Sequence, residues 1–232
     1  GGGVCQVSTT LYNAVLKAEL EVTQRSNHSM IVTYVKPSMD AAIAGDYKDL
    51  KFVNNLDAPI YIEGYTVGKD IYFNIYGQET RPSNRKVTYE SEVVSEEDPG
   101  TQFVATGDAV GSISTTQGKH MGYVARLWKI VTVDGVEQSR DAINKSTYKS
   151  SPKIVNVGTA SADPNAVAAV NAALATGDEA TIYATVAQYS GAGQTPAETP
   201  AETPADGSAE AAAILGTVDE SQITENTTTE GQ

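Results

Sequence analysis

The chain has 232 residues, 40% of them apolar, and its 16 basic and 29 acidic side chains leave a net charge of −13. Residues 1–153 hold 18 of the acids and all 16 bases, whereas residues 154–232 hold 11 acids with no Lys or Arg, so the acidity belongs to the C-terminal part. No basic stripe or motif for nucleic acid is present, no apolar run approaches the roughly 18 residues of a membrane span, and a single Cys precludes an internal disulfide framework.

The chain opens on Gly1-Gly2-Gly3 without an initiator Met. It therefore reads as the interior of a longer protein whose export signal or anchor lies upstream, the only route to membrane attachment. Ser8, Thr9 and Thr10 offer N-caps for a helix carrying Leu11, Ala14, Val15, Ala18 and Leu20 at helical spacing. His28 to Val35 reads as a strand from its β-branched and aromatic content, as does Leu50 to Val53. Ile60–Thr66 and Asp70–Tyr76 form a predicted hairpin around Gly68-Lys69, and 77–84 is a linker. Together, residues 1–79 are expected to be an α+β partial domain, a helix with antiparallel strands.

Residues 85–159 lack a helical pattern and are punctuated by glycines, with strands predicted at Val87–Val94, Tyr123–Val133 and Lys153–Val157 and a tight turn at Asp134-Gly135. The expectation is an extended all-β module with a thin core. Residues 160–190 are alanine-rich, with a helix start at Asp163-Pro164, a stop at Gly177 and a second short helix over Glu179–Tyr189. Residues 191–232 contain three near-identical Thr-Pro-Ala-acid units and bury too little apolar surface to offset chain entropy, so a disordered acidic tail is expected, with at most a transient helix over Ala209–Leu215.

Cys5 is the residue that points to chemistry. It follows the glycine run and precedes the predicted helix, whose N-terminal N–H groups stabilise a thiolate and a developing oxyanion. The alternative is a Cys packed as a small hydrophobe. His28 is the candidate base, and Asp40, Asp46, Ser29 or a backbone carbonyl could orient it. Arg25 could anchor a substrate carboxylate. His120 has no partner nearby in sequence, and two His with one Cys make no metal-site pattern, so neither metal nor organic cofactor is expected.

The opening segment, Gly1-Gly2-Gly3-Val4-Cys5-Gln6-Val7-Ser8-Thr9-Thr10-Leu11-Tyr12-Asn13-Ala14, resembles the signature of the VanW family. The likeness continues through Glu21, Arg25, Asn27-His28-Ser29, Tyr34-Val35, Asp40-Ala41 and Asp49 to Asn55, and covers about residues 1–78. Residues 85–159 are similar to the G-five domain, through Gly107, Gly111, Val133-Asp134-Gly135, Ser139-Arg140 and Val155 to Thr159. The resemblance implies an extracellular protein on the cell surface or in the cell wall of a Gram-positive bacterium, from a family named for a glycopeptide (vancomycin) resistance cluster. Clostridial members resemble L,D-transpeptidases in activity and use the motif Cys as nucleophile, while G-five domains are associated with wall or matrix sugars.

The function so implied is acyl transfer between peptidoglycan stem peptides through a Cys5 thioester, with His28 as base, helped by Ser29 and Asp40. Gly2, Gly3, Gln6 and Arg25 would bind the substrate, and backbone N–H groups around Gly3 to Gln6 would hold the oxyanion. The expected partners are stem peptides and wall glycans, and not nucleic acid. Two other readings remain open: a papain- or NlpC-type peptidase in which water resolves the thioester, and a non-catalytic wall-binding or adhesion protein. The last would show a Cys5 sulfur with no imidazole beside it.

Overall fold

The computed structural model describes residues 2–190; the expected acidic tail and the Ala209–Leu215 helix lie outside the described residues. Helix α1 spans Val4–Lys17 and is followed by short strands β1, Glu21–Gln24, and β2, Lys51–Val53, which pair antiparallel. Strands β3, Tyr61–Val67, and β4, Asp70–Tyr76, form the predicted hairpin in unbroken register, turning at Gly68 with φ 62°. Its β4 strand lies against α1. The α+β opening, the all-β module and the two alanine-rich helices are all present.

Two expectations for the first segment need correction. The helix begins at Val4 rather than beyond Ser8–Thr10, because Gly3 adopts the left-handed conformation (φ 87°) and caps the helix without a side chain. Ser8 and Thr9 are buried, and their hydroxyls bond the Ala41 carbonyl instead of capping. His28–Val35 is not a strand: residues 25–50 run irregularly between β1 and β2. Their backbone groups find side-chain and long-range partners instead of a ladder, as where His28 N–H donates to Asp40 Oδ2 and Lys149 N–H to the Ser29 carbonyl.

The β module holds two three-stranded sheets. Strands β5, Arg85–Glu97, β8, Gly122–Val133, and β9, Val136–Tyr148, form an antiparallel sheet in the order β5-β8-β9. Its tight turn is at Asp134-Gly135, where φ values of 51° and 78° match a two-residue turn with both residues left-handed. Strands β6, Thr101–Ala109, β7, Ile113–Gln117, and β10, Lys153–Ala160, form the second sheet, β10 lying parallel to β6 and antiparallel to β7. Sequence pattern missed β6 and β7, whose Thr, Ser and Gly residues mask the alternation. At Gly158 a Cβ would sit 2.2 Å from the Ala109 carbonyl oxygen, so this glycine permits the close approach of β10 and β6.

Two cores result. Helix α2, Pro164–Thr176, capped by the Asp163 carboxylate and ended by left-handed Gly177, and helix α3, Glu179–Tyr189, cover the second sheet. Val155, Val157, Val170, Ile182 and Val186 are buried there. The other core joins Tyr12, Leu16 and Ala41 to Leu127 of β8, with Tyr89 of β5 packed alongside. The first sheet is thus the floor on which residues 2–50 rest, and the compositional break at 79–85 is not a break in packing.

Candidate active site

Cys5 occupies the first turn of α1, one residue further into the helix than Val4 and two after the left-handed Gly3. It is half-buried, and its sulfur meets the Ile43 carbonyl at 3.7 Å. The segment 39–43 runs alongside the helix. Asn13 donates to the Met39 carbonyl, Thr9 accepts from the Ala41 N–H at 3.0 Å, and Ile43 reaches Cys5. On its other side, the Ala42 N–H donates to the Ser26 carbonyl, which brings residues 25–28 into the same layer.

Asp40 is the hub of this layer, with no exposed surface. Its Oδ2 lies 2.7 Å from His28 Nδ1 and accepts the His28 backbone N–H at 2.7 Å. Its Oδ1 accepts from Arg25 at 2.8 Å and from the Tyr148 hydroxyl at 2.5 Å. Burial is the largest influence on this carboxyl and raises its pKa, but the donors from His28 and Tyr148 and the Arg25 charge outweigh it and hold the group below the usual carboxylate range. Tyr148 moves the other way: burial, then the Asp40 charge, push its pKa up to about 12, so it remains a neutral donor.

Of the sequence-predicted residues, the structure brings His28 and Asp40 together. Asp46 is exposed, and Ser29 accepts from Lys48 Nζ at 3.4 Å. The Arg25 guanidinium is almost covered: Nε donates to the Asp40 carbonyl, and the terminal nitrogens to the Asp40 carboxylate and Ser146 Oγ. The sulfur of Cys5 and the imidazole are not joined by a hydrogen bond; His28 Nε2 faces the Tyr34 hydroxyl at 3.4 Å. Gly2 is exposed, Gly3 supplies the cap, and the Gln6 N–H donates to the Gly3 carbonyl at 3.0 Å. His120 lies just before β8, in an isolated bridge with Ser151. Among the described residues, no three metal-binding side chains cluster and no helix is long and apolar enough to cross a membrane.

Sequence reasoning missed Ser146 and Tyr148. They sit more than 100 residues from the groups they bond, on alternate positions of β9 that point inward beneath residues 25–40. Period-2 alternation along β9 was the available signal, but the inward Ser146 and Asn144 are polar and Val136 and Ile143 are exposed, which hides it.

Comparison with known proteins accords with this layout. Residues 1–76 match the family model described as VanW like protein, and residues 80–160 match that of the G5 domain. The chain thus carries a segment similar to VanW-like proteins followed by one similar to G5 domains. Over 79 residues it is 39% identical to the "Uncharacterized protein YoaR" of Bacillus subtilis (strain 168), a match covering 34% of this chain and 26% of that protein. The chain therefore spans about a quarter of the length of that relative. The solved "IgA1 Protease G5 domain structure" is 26% identical and covers 33% of this chain and 94% of its own, with a TM-score of 0.25. The "Crystal structure of HP0197-G5" is 20% identical and covers 32% of this chain and 99% of its own, with a TM-score of 0.18. Domains of these two kinds are typical of secreted cell-wall-associated proteins. In these terms, the Asp40 hub straddles both: His28, Arg25 and Asp40 come from the VanW-like segment, Ser146 and Tyr148 from the G5 domain.

Proposed function

We propose that the VanW-like segment performs thiol-dependent acyl transfer on peptidoglycan stem peptides, while the G5 domain holds the protein near wall glycans. The observation that carries this reading is the His28–Asp40 pair, 2.7 Å apart on a wholly buried carboxylate, in the layer that also flanks Cys5 at the N-terminus of α1. It supplies a nucleophile, a base and an orienting group in one layer. The Cys5 thiolate attacks the carbonyl carbon of the third stem residue. The new C–S bond replaces the C–N bond to the terminal D-alanine, whose amine leaves with a proton from His28. A side-chain amine of a second stem then attacks the thioester, gives its proton to the imidazole and regenerates the thiolate, leaving a 3–3 cross-link.

Because the Gln6 N–H is engaged with the Gly3 carbonyl, the oxyanion falls to the N–H groups of Val4 and Cys5, which have no intrahelical acceptor at that end of a helix. In the resting structure the sulfur faces Ile43, so substrate must bring thiol and imidazole into line; such contacts commonly tighten only in the substrate complex. That same contact favours a second reading, a non-catalytic wall-binding protein with a packed Cys5.

Mass spectrometry of products from purified muropeptides separates the two. Cys5→Ala is expected to abolish 3–3 dimers while leaving the fold unchanged by circular dichroism. An unchanged dimer yield rejects Cys5 as the nucleophile, and trimmed stems in place of dimers assign water as the acceptor.

A further inference from the structure

A second feature lies on the outer side of His28, where the VanW-like segment meets the end of β9. A cleft of about 350 Å³ opens there, lined by Asn27, His28, Ser29 and Lys48 from one side and by Thr147 and Lys149 from the other, with Arg25 at its base. Its walls are fastened together. Asn27 Nδ2 donates to the Thr147 carbonyl at 2.9 Å, and the Lys149 N–H donates to the Ser29 carbonyl at 2.7 Å.

The charge of this cleft is unusual for the molecule. The chain carries 29 acids against 16 bases, yet no Asp or Glu lines the cleft and three cationic side chains do. Arg25 is neutralised by Asp40 behind it. Lys48 is half-buried and is held by neutral acceptors, the Asn27 carbonyl at 2.8 Å and Ser29 Oγ at 3.4 Å. Among the described residues, neither Lys48 nor Lys149 has a carboxylate within ion-pair distance. The Lys48 ammonium therefore sits in the cleft beside the Ser29 hydroxyl, and Lys149 lines the opposite wall, without counter-charge at either. A partly desolvated ammonium with only neutral partners gains most from an oxyanion, since the attraction is stronger there than at a fully wet surface.

We propose that this cleft is a carboxylate-binding site shared by the two domains, and that it takes the free carboxylate of a peptide. Binding of an oxyanion follows from the cleft alone; its assignment to a stem-peptide carboxylate rests on the acyl-transfer reading above. The cleft is the right size for one or two amino-acid residues and too small for a glycan chain. Its placement against His28 would hold a peptide by its charged end while the rest extends across the imidazole. Lysine suits this role as a point charge that does not impose a planar, two-pronged geometry.

The test is an NMR titration of the whole chain at low ionic strength with N-acetyl-L-lysyl-D-alanine, its C-terminal amide, and inorganic phosphate. The free acid is expected to shift the amides of Asn27, Ser29, Lys48 and Lys149 and to bind at least about tenfold more tightly than the amide, with the difference collapsing as salt screens it. Lys149→Gln, at an exposed position, is expected to weaken the acid severalfold, and Lys48→Gln with Lys149→Gln to erase the preference for acid over amide. Equal binding of acid and amide, or shifts elsewhere only, overturns the site. Tighter binding of phosphate than of the acid overturns its assignment to a carboxylate. If the wild-type protein binds the acid but makes no cross-links from muropeptides, the site stands and the catalytic reading alone falls.

Discussion

At the scale of single residues, Tyr148 joins the two domains most tightly. Its hydroxyl donates to Asp40 Oδ1 and accepts the backbone N–H of Ser38 at 2.8 Å. Both partners are fully buried, so neither can turn to water. Tyr148→Phe keeps the ring and removes both bonds, leaving a buried carboxylate one donor short and a buried N–H without an acceptor. A hydrogen bond to a charged group, with the unsatisfied partner it leaves, is worth roughly 2–3 kcal/mol, and a loss of that order is expected in denaturant unfolding. A second readout isolates the electrostatic part. Because the Tyr148 bond lowers the Asp40 pKa, the Asp40 carboxyl should titrate at higher pH in the variant, followed by its carbon chemical shift. An unmoved Asp40 titration would mean that Tyr148 merely fills space.

At the scale of elements, local signals were legible where an element carries its own instructions. The β3–β4 hairpin alternates cleanly around Gly68, and α2 has an Asp cap, Pro at its first position and a glycine stop; each lies within a residue of its predicted place. Elements whose conformation depends on distant contacts were not legible. Ser8 and Thr9 look like caps and are buried instead, and Ile31 to Tyr34 has strand composition but no strand to pair with. The Asp40 hub was half-readable: His28 and Asp40 were named from the sequence, but the choice of Asp40 over Asp46 was made by packing. Glu19, left-handed just after α1, shows the same limit. It gathers Arg85 at 2.5 Å, Lys129 at 2.6 Å and Arg81 at 3.3 Å, tying the helix end to the linker, β5 and β8. The hydrogen bond from Arg85 is the largest cause that lowers its pKa from 4.5 to about 2. A carboxyl depressed on folding contributes stability fully above its unfolded value and loses it as pH falls toward the folded one. The gap in melting temperature between the wild type and Glu19→Gln should therefore be widest above about pH 5 and close as pH approaches 2. At neutral pH it should correspond to about 1–2 kcal/mol, after screening of the partly exposed cations. A gap independent of pH would show that the glutamate acts through shape and not charge.

At the scale of the molecule, the two family segments and the two cores divide the chain differently. The sequence families meet between residues 76 and 80, but the first core runs from Tyr12 to Leu127 and the second from the β6-β10-β7 sheet into α2 and α3. A VanW-like segment resting on half of a G5 domain makes His28 geometry depend on β8 and β9, which gives a physical reason for the two to occur in tandem here. Leu127 tests this directly. It is wholly buried in β8, between the G5 sheet and the α1 side chains, and its truncation to Ala should cost about 3–5 kcal/mol through lost burial and a residual cavity. Hydrogen exchange then reports where that loss is felt. If the first core is one cooperative unit, α1 amides lose protection together with those of β8 and β9, although Leu127 belongs to the other family segment. The α2 amides, packed on the second core, should keep most of theirs. Unchanged protection in α1 would mean that the VanW-like segment holds its shape independently, and that the contacts to Ser146 and Tyr148 dock a preformed site instead of forming it.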